Sequence, residues 1–565
     1  MRPFRIRRRR LLGTKGASLV EYAMLLTLIA AIAFVTMLNF GAVPIGIFQE
    51  ANARLQFATE SIEGTPRRTA APMLIQVDTG ASPGQAVGFI FDSRSGLVDL
   101  EIDWGDGTAP DVIRSGGPVF YEYAAAGTFT IQVRGRFESL TLTGIDSAMT
   151  SKIRTISTWG EATPVSLRGA FERTSNLQAL PSSLPNTVRD LSGMLFASGY
   201  NGSEVGLWNV SRVTDMSRMF AANANFNGSI GFWNTSRVEN MASMFRGATA
   251  FNQDLSGWNV ARVTDFSRMF QSTLFSQPIG TWNTGAATTM TGMFRDNPAF
   301  DQDLASWNTS KVTAMDEMFR DASGFDGDIT NWNTSQVKTF HRMFDGAAAF
   351  NQAIGGWNTG AVTDMAFMFQ GASAFNQDLS GWQTGGVTTM ESMFALSGFD
   401  GAIGTWDTSD VTTFASMFQG ASSFNQDISG WQTGAATSMA SMFEQASLFN
   451  QPVNGWQTGG VERFEFMFAG TGAFNQPVSG WNVGSGVRFD SMFEDALAFN
   501  QDIGAWDIAT TDPEALGRFL RGASAFDRNL GCLNVSAIPS RPALFSDGSA
   551  IAGEPNWGGA PGICS

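Results

Sequence analysis

Apolar residues recur along most of this chain with a long period. A Phe, usually preceded by Met, stands at 171, 196, 220, 245, 270, 294, 319, 344, 369, 394, 418, 443, 468, 493, 519 and 545, at spacings of 24 to 26. A Trp precedes most of them by twelve or thirteen residues, from Trp159 and Trp208 to Trp506, with Leu184 and Leu533 in its place in the second and last copies. About fifteen copies of a unit of about 25 residues form a stacked architecture. One unit cannot bury its apolar face alone, so stability must come from interfaces shared between neighbouring copies.

The copy from Trp357 to Gly381 predicts how the unit folds. Val362, Met365 and Phe369 fall at i, i+3 and i+7, which is one face of a short helix. Thr363 or Asp364 can cap its start and Gly371 can end it. After Phe375 the run NQDLSGW partly alternates, which predicts one strand per copy, with Leu379 and Trp382 turned inward. The expected fold class is therefore an α/β repeat solenoid over residues 155–545, with one short parallel strand and one short helix per repeat. Residues 546–565 are expected to cap its last edge. Asn follows the second Phe at 227, 252, 351, 376, 425, 450, 475 and 500, and Asp does so at 301, 326, 400 and 527. These side chains are expected to satisfy backbone groups copy after copy; a ligand-binding ladder is the functional alternative.

Upstream the periodicity changes. Leu100, Ile102 and Trp104 alternate with Glu101 and Asp103, and Phe129, Ile131 and Val133 alternate with Thr130 and Gln132. This period of two predicts a small β-sandwich over residues 71–143. Residues 49–70 are polar and read as a linker. Residues 17–48 contain a stretch from Ala23 to Leu38 that is apolar apart from Thr27 and Thr36, and with its flanks it is long enough for one transmembrane helix. Residues 1–16 are a basic leader expected to remain cytoplasmic.

Charge sharpens this division. The chain carries a formal net charge of −15, and removing the seven cations of the leader takes it to −22. So acidic a body repels phosphate backbones, which argues against nucleic acid despite the RIRRRR run. The only cysteines, Cys532 and Cys564, are expected to pair as a disulfide in an oxidising, extracytoplasmic location. His341 is the single histidine, so a His-dependent triad or a His-rich metal site is hard to build. No catalytic, cofactor-binding or metal residues are expected. Asp103 and Asp106 invite a calcium reading, but two acids in a Gly-rich turn are more often turn-formers. Among the variable positions of the repeat, Arg218, Arg246, Arg268 and Arg320 form no obvious stripe.

Three resemblances add to this reading. Lys15-Gly16, Ala17, Glu21 and Tyr22 resemble the processing region of Flp/Tad type IVb pilins. That resemblance implies cleavage between Gly16 and Ala17, and assembly through Glu21 and Tyr22. IDWGDGT (102–108) and YEYAAAGTFTIQV (121–133) resemble a PKD-like domain, which would serve as a spacer. The repeat resembles the BspA-like surface proteins, relatives of leucine-rich-repeat proteins, which implies surface display and adhesion. Together these give the expectation of a non-enzymatic, membrane-anchored, extracytoplasmic repeat protein that binds a protein or glycan ligand. The alternative is a minor pilin or scaffold subunit of a Tad-type pilus without a ligand of its own.

Overall fold

A computed structural model describes residues 70–80, 84–93, 96 and 98–562. Eight strands come first: β1 (Met73–Asp78), β2 (Ala86–Asp92), β3 (Asp99–Asp103), β4 (Asp111–Ile113), β5 (Gly117–Glu122), β6 (Thr128–Arg136), β7 (Ser139–Thr141) and β8 (Ile153–Thr158). One helix of a single turn, α1 (Ser147–Thr150), lies between β7 and β8, and the Asp146 side chain caps it by accepting from the Ala148 amide. The strands form a five-stranded sheet in the order β4-β3-β6-β1-β8 and a three-stranded sheet in the order β5-β2-β7. All the pairings are antiparallel, with Ile75 opposite Ile131 between β1 and β6, and Ile102 opposite Val133 between β3 and β6. The alternation read from the sequence holds in β6, where Ile131 and Val133 are buried, Phe129 is half-buried and Thr130 is exposed; in β3 Leu100, Ile102 and Trp104 are fully buried, but Glu101 between them is buried as well. Trp104 anchors this unit: its ring stacks on Tyr121 at 4.5 Å and its Nε1 donates to Asp111 at 2.8 Å.

The array begins on the edges of both sheets. Ser139 bridges Ser166 and Thr155 bridges Ala179, both in parallel, so the β unit covers the first coil. From there to the C-terminal region the copies stack, but not as an α/β solenoid. The expected helix and strand of each repeat do not form. Each copy has instead a single-residue parallel bridge, such as Asp364 to Thr389, followed by a run of turns over 366–371. Beyond β8 the only helical pieces among the described residues are short 3-10 turns at Glu204–Leu207, Ile354–Gly356 and Pro513–Leu516.

The hydrogen bonds give the physical reason. The amides of Met365, Phe367, Phe369 and Gly371 donate to the carbonyls of Thr389, Glu391, Met393 and Ala395 in the next copy. The intervening amides of Met368, Gln370 and Ala372 donate three residues back, to Met365, Phe367 and Phe369. A helix would direct every amide along its own axis; here half of them cross to the neighbouring coil. Phe367 and Gly371 adopt φ of 61° and 68°, a left-handed conformation that no α-helix contains. The helical spacing misled because overlapping i to i+3 turns also bring residues three and four apart to one side. Val362, Met365 and Phe369 are indeed buried, as are Leu379 and Trp382. Asp364 does accept the amide two residues on, from Ala366 at 2.8 Å, so it shapes the entry to a turn rather than capping a helix.

Rings fill the coil interior. Phe369 stacks on Phe344 and Phe394, each at 5.6 Å, and on Phe375 of its own copy at 4.0 Å. The ladder also corrects the placement of three repeat phenylalanines. Leu195 and Leu520 donate across copies at the position that Phe220 and Phe369 hold elsewhere, so Phe196 and Phe519 each stand one place C-terminal or N-terminal to the repeating core site. Phe545 likewise takes the Met position. At the far end Leu530 donates to Gly553, and Trp557 packs edge-on against Phe545 at 4.9 Å.

Among the described residues no helix is long and apolar enough to cross a membrane. The fold class and the membrane-anchored location expected above are therefore not supported by the described chain. Residues 17–48, on which the anchor rested, lie outside the described residues, as do Gly16, Ala17, Glu21 and Tyr22.

Candidate functional site

The inward and inter-copy positions of the repeat are spent on structure. From Trp208 to Trp506 each repeat Trp Nε1 donates to a carbonyl of the previous copy, as Trp406 does to Leu379 at 3.0 Å, whereas Trp159 of the first copy donates forward to Ser183 at 2.7 Å. The buried Thr two residues after the Trp donates forward, as Thr359 does to Gln383 at 2.9 Å. The Asn and Asp ladder serves the backbone: Asn351 accepts the Asn376 amide at 3.0 Å, and Asn376 accepts the Asp400 amide at 2.8 Å. In several copies the following Gln adds a second bond, as Gln377 does to Asn351 at 2.8 Å. Variation that could serve recognition is left to the outward columns.

Two such columns stand out on different sides of the coil. The first lies on the turn run. Arg218, Arg246 and Arg268, in three consecutive copies, are exposed there, and among the described residues none has an ion pair. The Arg218 guanidinium lies over the Phe196 ring at 4.6 Å. Farther along the same face the arginines are neutralised. Arg295 and Arg320 pair with Glu317 at 2.6 and 3.2 Å, and Arg342 pairs with Asp345 at 2.9 Å. Burial opposes ionisation of Glu317, but the two guanidiniums hold its carboxyl below the usual range. Burial dominates at Asp345 and Asp316 and pushes both upward. These arginines looked scattered because they alternate between two positions of the repeat, three residues apart, which the turn places side by side. Counting from the repeat's Phe to both positions would have found them.

The second column lies on the edge carrying the Trp, between the turns at 380–381 and 385–386 in the Trp382 copy. Leu207 and Phe232, each just before a Trp, are 74% and 94% exposed. Arg212, Arg237 and Arg262, each four residues after a Trp, project from the same edge and are also exposed.

The remaining sequence candidates have structural partners. Asp103 accepts from the Gly105 amide at 2.9 Å, and Asp106 accepts from the Thr108 amide at 3.0 Å and from the Tyr121 hydroxyl at 2.5 Å. The Tyr121 hydroxyl, then Thr108, hold Asp106 below its ordinary range. Among the described residues no group of three or more His, Cys, Asp or Glu side chains is placed to hold a metal. His341 meets Asp364 at 3.3 Å, Arg342 at 3.3 Å and the edge of Phe367, a charged surface cluster. Cys532 sits in a half-buried turn, and its expected partner Cys564 lies outside the described residues.

The family described as "Mycoplasma protein of unknown function, DUF285" matches residues 189–304, 262–353, 288–397, 382–473 and 453–557. The chain belongs to the DUF285 family. Successive overlapping matches follow from the stacking, since any window of the DUF285 array resembles the next. No curated protein matches the chain. The DUF285 region starts downstream of the β unit, so the PKD-like and pilin-like resemblances rest on sequence alone.

Proposed function

We propose that this DUF285 protein is a non-enzymatic binding protein whose array presents its turn face to a protein or glycan carrying acidic groups. The observation that supports this is the run of exposed, unneutralised arginines, Arg218, Arg246 and Arg268, in a chain of net charge −15. A cationic strip on an otherwise acidic molecule selects anionic partners by complementarity. The BspA-like resemblance supports adhesion as the use of such a surface. The strongly acidic body weighs against nucleic acid.

The test is binding of the full chain to immobilised acidic and neutral glycans and to matrix proteins, alongside R218E/R246E/R268E. Salt-sensitive capture that the triple variant loses is the expected result. Equal capture by both proteins would move the site elsewhere, and no capture on any surface would favour a scaffold without a ligand.

A further inference from the structure

Charge is distributed very unevenly along the array. Residues 205–271 contain six arginines against four acids, Asp215, Glu239, Asp254 and Asp265. Residues 343–462 contain ten acids and not one Lys or Arg. The polarity extends to the Trp edge. Its N-terminal copies carry Arg212, Arg237 and Arg262 beside Leu207 and Phe232. In the cation-free stretch the same edge carries Asp407 and Asp410, both exposed, while its shoulders are acidic at both ends, with Asp378, Asp427 and Glu462 here and Asp254 and Glu239 beside the arginines.

A side chain as large as Phe232, 94% exposed, is unusual on a monomeric surface. The position it holds before the Trp is filled in the cation-free stretch by Gly356, Gly381, Gly430 and Gly455, with Thr405 between them. Where one end of the edge projects a ring and a cation, the other offers a carboxylate and room.

We infer that the Trp edge is a self-association surface on which a second copy of this chain lies antiparallel, its cation-free stretch against the arginine copies. The antiparallel arrangement follows from symmetry. In that orientation a twofold axis gives both contacts at once: the arginine copies of each chain meet the acidic copies of the other. A parallel pair would instead set arginine against arginine and carboxylate against carboxylate. The turn face stays outward, so this surface is independent of the ligand face proposed above. Association by such long-range complementarity falls with salt, because screening shortens from about 10 Å at 0.1 M to about 3 Å at 1 M.

Sedimentation velocity of the full-length protein at about 50 mM and about 500 mM NaCl tests the inference. The expected result is a dimer at low salt that dissociates at high salt. R212E/R237E/R262E and D407K/D410K should each weaken it roughly tenfold or more, since each places like charges at both contacts. Mixed together, the two variants should form a heterodimer, because each altered patch then meets an altered partner of opposite sign. That rescue separates loss of the contact from loss of folding. F232A should weaken association without changing its salt dependence. A monomer at low salt, a dimer indifferent to both charge variants, absence of the heterodimer, or growth beyond two copies would each overturn the antiparallel pair. Ligand capture by R212E/R237E/R262E should match that of the unaltered protein, so failure here is distinguishable from failure of the binding function.

Discussion

The β unit and the array meet the same demand, that buried peptide groups be bonded, in opposite ways. In the β unit, strands distant in sequence find each other: β1 lies between β6 and β8, and Trp104 packs in surroundings no other residue shares. In the array each coil bonds to the equivalent residues of the next, and most rings of the repeat stack on their own counterparts. Trp382, Trp406 and Trp431 stand 6.1 and 6.3 Å apart with planes 3° and 1° from parallel. The β unit solves many different interfaces once; the array solves one interface many times. Cooperativity should differ accordingly, since an array couples only nearest neighbours while a sheet core couples everything at once.

The sharpest way to break that comparison is to delete one buried Trp from each region. Trp406 is 2% exposed and contacts the rings of Trp382, Trp431 and Phe394. W406A should cost about 3–5 kcal/mol, a range typical of a large aromatic removed from a core. It strikes two interfaces, and its effect should divide the urea transition into two as the copies on either side uncouple. W104A should cost about as much but leave the array's transition in place. Denaturation followed by hydrogen exchange of peptides from each region reads both. A single transition shifted equally by both variants would show that the two regions unfold as one.

How much of this was legible in the sequence follows from the same difference. Strand alternation was readable at Leu100 and Ile102 and at Ile131 and Val133 because a half-buried strand has a period of two whatever it pairs with, although the burial of Glu101 departs from it. The repeat length and its buried residues were readable because stacking forces the same side chain into the same place in every copy. The conformation within a copy was not. Val362, Met365 and Phe369 have helical spacing, yet the backbone between them includes Phe367 in a left-handed conformation, and nothing about a Phe announces that. Neither was the exchange of Phe for Leu at 195 and 520, which keeps an aromatic residue beside the core site while moving it out of step. The outward arginines were hidden for a related reason: periodicity reports the positions that repeat, and recognition lies in those that do not.

A smaller effect tests whether the polar ladder matters as the rings do. Asn376 accepts the amide of Asp400 and is exposed, so water can partly replace it. N376A should cost about 1 kcal/mol, the usual net worth of such a bond. N376D, which keeps the acceptor as Asp400 does naturally one copy on, should cost less. Thermal unfolding of the two variants side by side measures the difference; equal losses would place the role of Asn376 in something other than accepting that amide.

The smallest effect concerns the left-handed residues, which the β unit uses only at glycines, in its turns and at Gly135 within β6, and which the array needs in every copy. Ser441 has φ of 55°, and its amide donates to Glu465 while its carbonyl accepts from Glu444. In other copies Gly169, Gly193 and Gly292 occupy this position with φ of 62°, 60° and 59°. A side chain here costs roughly 1–2 kcal/mol in backbone strain, whereas a glycine loses roughly 0.5–1 kcal/mol more conformational freedom on folding. S441G should therefore raise stability by a few tenths of a kcal/mol, to about 1 at most, without touching either ladder bond. Urea midpoints at constant slope provide the measurement. A loss on S441G would mean that the serine side chain stabilises the coil by more than its strained backbone costs, and the left-handed position would then be a contact site as well as a turn.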